Sequence, residues 1–293
     1  MDVVAGKRRL AEGGKGGHID IPRLRQGGVG AQVFAAWIER SYLPGSGVRR
    51  ACQYIDTFWR EVEENADDLV FVRTGADLAR AEAEGKIGAI LAIEGGEALD
   101  GSVEMIRIFY RLGVRLMTIT WSDRNELGDG AYDSTGGGLS KAGVKVVQEM
   151  NRMGMVVDVS HASDATFWSI MAHTSGPLVA SHSNSRVLFD HPRNLSDEQA
   201  RAIAARGGVV CATYVRPFLG SNYNSVSGLV DHIDHLVEVA GINHVGIGSD
   251  FDGVGPDGLV SGVSDTSDVG LVADEMRRRG RPELEIEAIM GRN

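Results

Sequence analysis

Four side chains able to bind a metal ion or move a proton each follow a short apolar run in this chain. Ile87–Ile93 leads into Glu94, Met155–Ser160 into His161, Pro177–Ser181 into His182 and His244–Ser249 into Asp250. Carboxylate oxygens and neutral imidazole nitrogens are the donors that a borderline cation such as Zn²⁺ takes. Each residue also has a plain structural reading. Glu94, in Ile93-Glu94-Gly95-Gly96, can cap a loop by accepting backbone N–H bonds, and a lone histidine after a strand is more often a hydrogen-bonded core residue. Asp250 can close an Asx-turn, and Asp252, two residues further on, competes with it for any role. Position favours Asp250. What lifts the set above these readings is recurrence at one register, His161 and His182 most of all.

The remaining candidates carry less. His232 and His235 stand three apart on a helical pattern and can ligate a metal, but with Asp231 and Glu238 beside them they read as a solvated helix face. His173 and His244 precede strand-like runs and so belong to the opposite, stabilising end of the elements. Arg193, in the loop His191-Pro192-Arg193-Asn194, is suited to bidentate recognition of a carboxylate, with an ordinary surface ion pair as the alternative.

The apolar runs that must position these residues are Val29–Phe34, Ile87–Ile93, Val114–Thr120, Met155–Ser160, Pro177–Ser181, Val209–Thr213 and His244–Ser249. They are near-continuous rather than alternating, as parallel strands covered on both faces require. Helical patterns lie between them. Ser102–Leu112 ends at Gly113, a helix capped by Ser140 runs to Gly154, and Ser196-Asp197-Glu198-Gln199 is a capping box ahead of Ala200–Ala205. Leu229, Val230, Ile233, Leu236 and Val237 mark one face of another helix. Strand then helix, repeated, predicts a parallel α/β fold in which strand C-terminal ends carry the chemistry. Seven strands are counted, one short of an eight-stranded barrel. No repeat or linker divides the chain, so 1–293 is read as one domain, with Asp252–Gly262 a long βα loop.

Composition excludes several function classes. The 293 residues are 43% hydrophobic and 24% charged, which rules out disorder as a description of the whole. The formal net charge of −10 and the lack of any basic run longer than Arg277-Arg278-Arg279 argue against nucleic acid as a partner. No signal peptide or membrane span is apparent, and Cys52 and Cys211 read as reduced core thiols, so a cytoplasmic setting without membrane contact is expected.

Taken together, Ala92-Ile93-Glu94-Gly95-Gly96, Asp158-Val159-Ser160-His161-Ala162-Ser163, Ala180-Ser181-His182-Ser183-Asn184, His191-Pro192-Arg193-Asn194 and Gly248-Ser249-Asp250-Phe251-Asp252-Gly253 resemble the membrane dipeptidase (renal dipeptidase) family. So does Asp20-Ile21-Pro22-Arg23-Leu24-Arg25-Gln26-Gly27-Gly28-Val29. The likeness runs in order over nearly the whole chain. It implies a (β/α)₈ TIM barrel of the metal-dependent hydrolase type and a binuclear zinc dipeptidase acting on small dipeptides. On that resemblance Glu94 bridges two metal ions and His161 and His182 complete one ion's ligands. Asp250 is the acid/base beside a metal-bound water nucleophile, Arg193 holds the substrate carboxylate, and Tyr214 is a further substrate contact.

Two departures bear on these expectations. The family opens with a strand ending in His-x-Asp that supplies the second metal's ligands, whereas this chain starts in what resembles the helix after it, leaving one metal weak or absent. His18-Ile19-Asp20 is a substitute in type, but glycines precede it instead of an apolar strand. Trp121 stands where many relatives have a histidine contacting the scissile carbonyl; it offers an N–H donor but no acid–base capacity. The chain also stops near where relatives continue into a last helix. Competing expectations are a truncated, catalytically weakened barrel that binds a metal or carboxylate ligand, and an amidohydrolase of the same superfamily acting on another amide. A homodimer is compatible with each.

Overall fold

The computed structural model describes residues 3–14 and 16–293, and the chain divides into two compact units. One comprises Met1–Arg9 with Gly30–Gly176, the other Leu10–Val29 with Pro177–Asn293. The first unit holds strands β1 (Ala31–Trp37), β2 (Leu69–Val72), β3 (Ile87–Glu94), β4 (Leu116–Thr118) and β5 (Val156–Asp158). The second holds β6 (Leu178–Ala180), β7 (Val209–Ala212) and β8 (Val245–Ile247). All pairings within each unit are parallel, with helices between the strands, as the near-continuous apolar runs predict.

In the first unit β3 is central. It pairs with β1 along its length, with β2 through its first half and with β4 through its last three residues. Ile87, Leu91 and Ile93 are almost wholly buried. Burial of such side chains stabilises by roughly 1.5–3 kcal/mol each, which fixes this strand's place and hence that of the Glu94 at its end. Gly88 permits the crowding, since a Cβ there would lie 3.0 Å from Val72 and 3.2 Å from Leu78. In the second unit β7 pairs with β6 and β8. The ends of these strands approach closely: a Cβ on Gly248 would lie 1.7 Å from the Ser181 carbonyl oxygen.

The seven expected strands are all present, each within a few residues of its predicted span. Among the described residues there is an eighth, β2, which lies beside β3 only. Its four residues are too short a run to stand out after the helix Gly47–Glu64. The helices Val103–Arg111, Lys141–Met153, Asp197–Ala205 and Val226–Ala240 match the predicted patterns. Ser196 and Gln199 form the predicted capping box, and Gly154 takes the left-handed conformation that ends its helix.

Three expectations need correction. Residues 3–14 form turns rather than a helix, and the first helix is Ile21–Gln26. Cys52 is exposed on its helix rather than buried in a core, while Cys211 on β7 is half-buried. His232 does not lie on a solvated face. It is fully buried, its Nδ1 accepting from the Ser185 N–H at 3.1 Å and its Nε2 3.4 Å from the Leu219 carbonyl oxygen. Burial pushes its pKa down to about 4, so it is a neutral core residue with backbone partners for both nitrogens.

Candidate active site

The first unit brings together Glu94, His161 and Trp121. Strand register sets up the first of these: Trp37 pairs with Glu94, Glu94 with Thr118, and Thr118 with Asp158, forming one row across β1, β3, β4 and β5. A buried hydrogen bond of 2.7 Å from Thr118 Oγ1 to Asp158 Oδ2 ties the ends of β4 and β5, from which Trp121 and His161 depart. His161 then turns sharply, with φ at 70°, a left-handed conformation that non-glycine residues take at a cost. The turn delivers its Nε2 to 2.9 Å from Glu94 Oε1. Its Nδ1 lies 3.1 Å from the Ser122 hydroxyl.

Aromatic rings flank this pair. Trp121 packs against Trp37 at 5.1 Å and against the His161 ring at 6.0 Å, and the Arg40 guanidinium lies 5.4 Å from the Trp121 centroid. Glu97, a residue the motif analysis passes over, folds back so closely that a Cβ on Gly95 would meet its Oε2 at 2.1 Å. Burial pushes its carboxyl up to about 7, while hydrogen bonds from Asn125 and the Trp121 backbone oppose that rise.

The second unit holds His182, Arg193 and Asp250. His182 follows β6 and is buried, with its Nδ1 2.8 Å from the Ser181 hydroxyl. Burial first, and then the Arg193 charge, hold its pKa well below the usual histidine value, so the imidazole is neutral at pH 7. Arg193 is only 2% exposed, which removes the surface ion pair as an account of it. Its Nη2 donates to the His182 carbonyl at 3.3 Å, and its guanidinium lies 5.2 Å from the Phe218 ring centroid. The neighbouring Asn194 pins the loop by donating from Nδ2 to the carbonyls of Phe189 and Phe218.

Asp250 follows β8 with φ at 58°. Although the residue is half-buried, loss of solvation is the largest influence on its carboxyl, pushing the pKa up to about 6 against the opposing Arg193 charge. A desolvated carboxyl poised near neutrality can both take and give a proton at physiological pH. Tyr214 is fully buried in this unit. Its hydroxyl donates to the Val269 carbonyl at 3.4 Å and its ring lies 5.3 Å from Phe251, so it packs behind the Asp250 loop.

The substitute ligands suggested by His18-Ile19-Asp20 are otherwise occupied. Asp20 caps the helix Ile21–Gln26 and pairs with Arg23 Nε at 2.6 Å, while His18 bonds to Asp252. His235 Nε2 lies 2.8 Å from Asp197, and His244 Nδ1 lies 2.8 Å from the Gly208 carbonyl, consistent with a stabilising role before β8. Sequence reasoning missed Ser122 and Ser181 as partners of the two imidazoles. Their only signal is adjacency: Ser122 follows Trp121, and Ser181 precedes His182.

Comparison with known proteins supplies independent information. The model of the membrane dipeptidase family, peptidase family M19, matches residues 5–293, spanning both units. An uncharacterized dipeptidase of Schizosaccharomyces pombe is 37% identical over 301 residues, covering 96% of this chain and 72% of its own length. The dipeptidase verJ of Clonostachys rogersoniana is 34% identical over 289 residues, covering 94% and 74%. Among solved structures, the dipeptidase AC, a metallo peptidase of family M19, superposes with a TM-score of 0.88 at 26% identity, covering 99% of this chain and 92% of that one. The fold class is therefore the α/β TIM-barrel type of these metallopeptidases. No described helix is long and apolar enough to cross a membrane.

Proposed function

The chain belongs to the membrane dipeptidase family, peptidase family M19, and from that premise we propose a zinc-dependent dipeptidase whose metal is held by Glu94, His161 and His182. Glu94 and His161 of the first unit and His182 of the second are carboxylate and imidazole groups of the kind that could hold a metal ion. One carboxylate and two neutral imidazoles form a donor set that suits Zn²⁺. The observation that carries the reading is the Glu94–His161 contact at 2.9 Å with Ser122 on the far ring nitrogen. A ligating histidine characteristically has its second nitrogen held by such a partner, and His182 repeats the pattern with Ser181.

A bound divalent metal supplies Lewis acidity at the peptide carbonyl and lowers the pKa of water. The protein's own groups do the rest. Asp250, ionised above about pH 6, takes the proton of the attacking water and then delivers it to the departing amine nitrogen. Arg193, buried and fixed by its loop, receives the free carboxylate of the dipeptide. Trp121 and Trp37 supply an apolar wall for the side chain of the substrate. The test is hydrolysis of a panel of free dipeptides, abolished by a chelator and restored by Zn²⁺. A purified, folded protein that hydrolyses none of them, with or without added metal, would refute the proposal.

A further inference from the structure

Two residues that the catalytic reading leaves unused, His18 and Asp252, bond to each other reciprocally. The His18 backbone N–H donates to Asp252 Oδ1 at 2.5 Å, and the Asp252 backbone N–H donates to His18 Nδ1 at 3.0 Å. The His18 carbonyl accepts in turn from the Thr266 N–H at 3.1 Å and from the Thr266 hydroxyl. His18 is 6% exposed, and its ring packs 5.9 Å from that of Phe251. Backbone donor, backbone acceptor and ring nitrogen are therefore all engaged, and the loop after β8 is gripped from a segment more than 200 residues away in sequence.

What the grip holds is the turn carrying Asp250. Asp250 and Asp252 both have left-handed backbones, with φ at 58° and 66°. Such a pair of non-glycine residues persists only where the surroundings impose it. The Asp250 carboxylate also lies so close to the Gly253 Cα that a Cβ there would meet Oδ1 at 2.0 Å. We propose that the His18–Asp252 clasp is the positioning device for Asp250: by fixing Asp252 in its left-handed conformation it holds the Asp250 carboxylate in its working orientation. His18 is thus a positioning residue and not a metal ligand. The inference rests on the acid/base reading of Asp250 for its kinetic consequences, but not for its structural ones.

The test compares His18→Ala, Asp252→Ala and Asp252→Asn in the metal-loaded protein, with bound metal and thermal melting measured alongside. Removing the clasp is expected to lower kcat by about 10–100-fold, the scale of a misplacement of about 1 Å, with KM changed by less than about threefold. The acid limb of the kcat/KM profile is expected to move as well, because the carboxyl's surroundings change. Asp252→Asn keeps the Oδ1 acceptor and should recover most of the rate lost in Asp252→Ala. In a crystal structure of Asp252→Ala, Asp250 is expected to leave its left-handed conformation. If His18→Ala does not fold, Asp252→Ala, altered at an exposed position, carries the test alone. Native kcat and an unmoved acid limb in folded Asp252→Ala, or an unmoved Asp250 in its crystal structure, overturn the proposal. Should Asp250→Asn prove as active as the native protein, the acid/base reading fails instead, and the crystal structure decides the clasp separately.

Discussion

The two units present their reactive residues by opposite physical means. In the first, hydrogen-bonded register does the work: Glu94 is the last residue of a long buried strand, and His161 is aimed at it by a turn anchored on the Thr118–Asp158 bond. In the second, charge and burial dominate. His182, Arg193 and Asp250 stand on short strands and loops; burial is the larger influence, pushing the His182 pKa down and the Asp250 pKa up, and the Arg193 charge lowers both. Metal ligation tolerates little error in ligand position, and proton transfer needs a pKa near the working pH. A rigid strand end supplies the first requirement and a desolvated loop the second.

The sharpest way to break this comparison is to remove the titratable group of the second unit. Asp250→Asn should lower kcat/KM by at least about 10³-fold while leaving bound metal in place, and the native acid limb should lie near pH 6. Stability should move the other way. Because folding raises this carboxyl from 3.8 to about 6, the folded protein binds the proton more tightly, and the ionised form costs stability as pH rises between those values. Metal-free Asp250→Asn should therefore be more stable than the native chain at pH 7, by on the order of 2 kcal/mol, and lose that pH slope. Denaturant unfolding at pH 4 and pH 7 measures both. An activity loss accompanied by destabilisation would mean that the carboxyl is structural.

Next in size is Arg193→Ala. Losing a buried charge-assisted contact to the substrate carboxylate should cost about 2–3 kcal/mol in kcat/KM for free dipeptides. Dipeptides amidated at the C-terminus should be hydrolysed by the native and altered proteins at nearly the same low efficiency. Equal losses on both substrates would leave Arg193 as a prop for the His182 loop rather than a substrate contact. Smaller still, Ser122→Ala and Ser181→Ala should weaken metal affinity by about 10–100-fold, since each orients an imidazole without ligating. If the first unit is the more rigid, Ser122→Ala should be the milder of the two. Competition with a chromophoric chelator gives both values.

Much of this arrangement is legible in the amino-acid sequence. Runs such as Ile87–Ile93 are apolar throughout because both faces of the strand are covered, and the residue that breaks each run marks the strand's C-terminal end. Partners set by backbone direction are not legible. Nothing in His18 or Asp252 announces that each will satisfy the other, and as isolated residue types they resemble ligand and acid. His232 misleads for the related reason that a polar residue among charges signals exposure only until a neighbouring loop brings the Ser185 N–H to its ring. β2 escapes because its four residues carry too short a pattern, and Ser122 and Ser181 because a hydroxyl's partner depends on rotamer and not on spacing.

The central claim is that Glu94, His161 and His182 are the metal ligands, and metal content read directly on variants tests it best. The native protein, His161→Ala, His182→Ala and His235→Ala are each equilibrated with Zn²⁺, freed of excess by gel filtration and assayed for bound metal by mass spectrometry. The native protein and His235→Ala, whose imidazole pairs with Asp197, should retain about one tightly held zinc per chain. His161→Ala and His182→Ala should retain little or none while staying folded. Equal retention in all four would contradict the assignment of Glu94, His161 and His182 as the metal site.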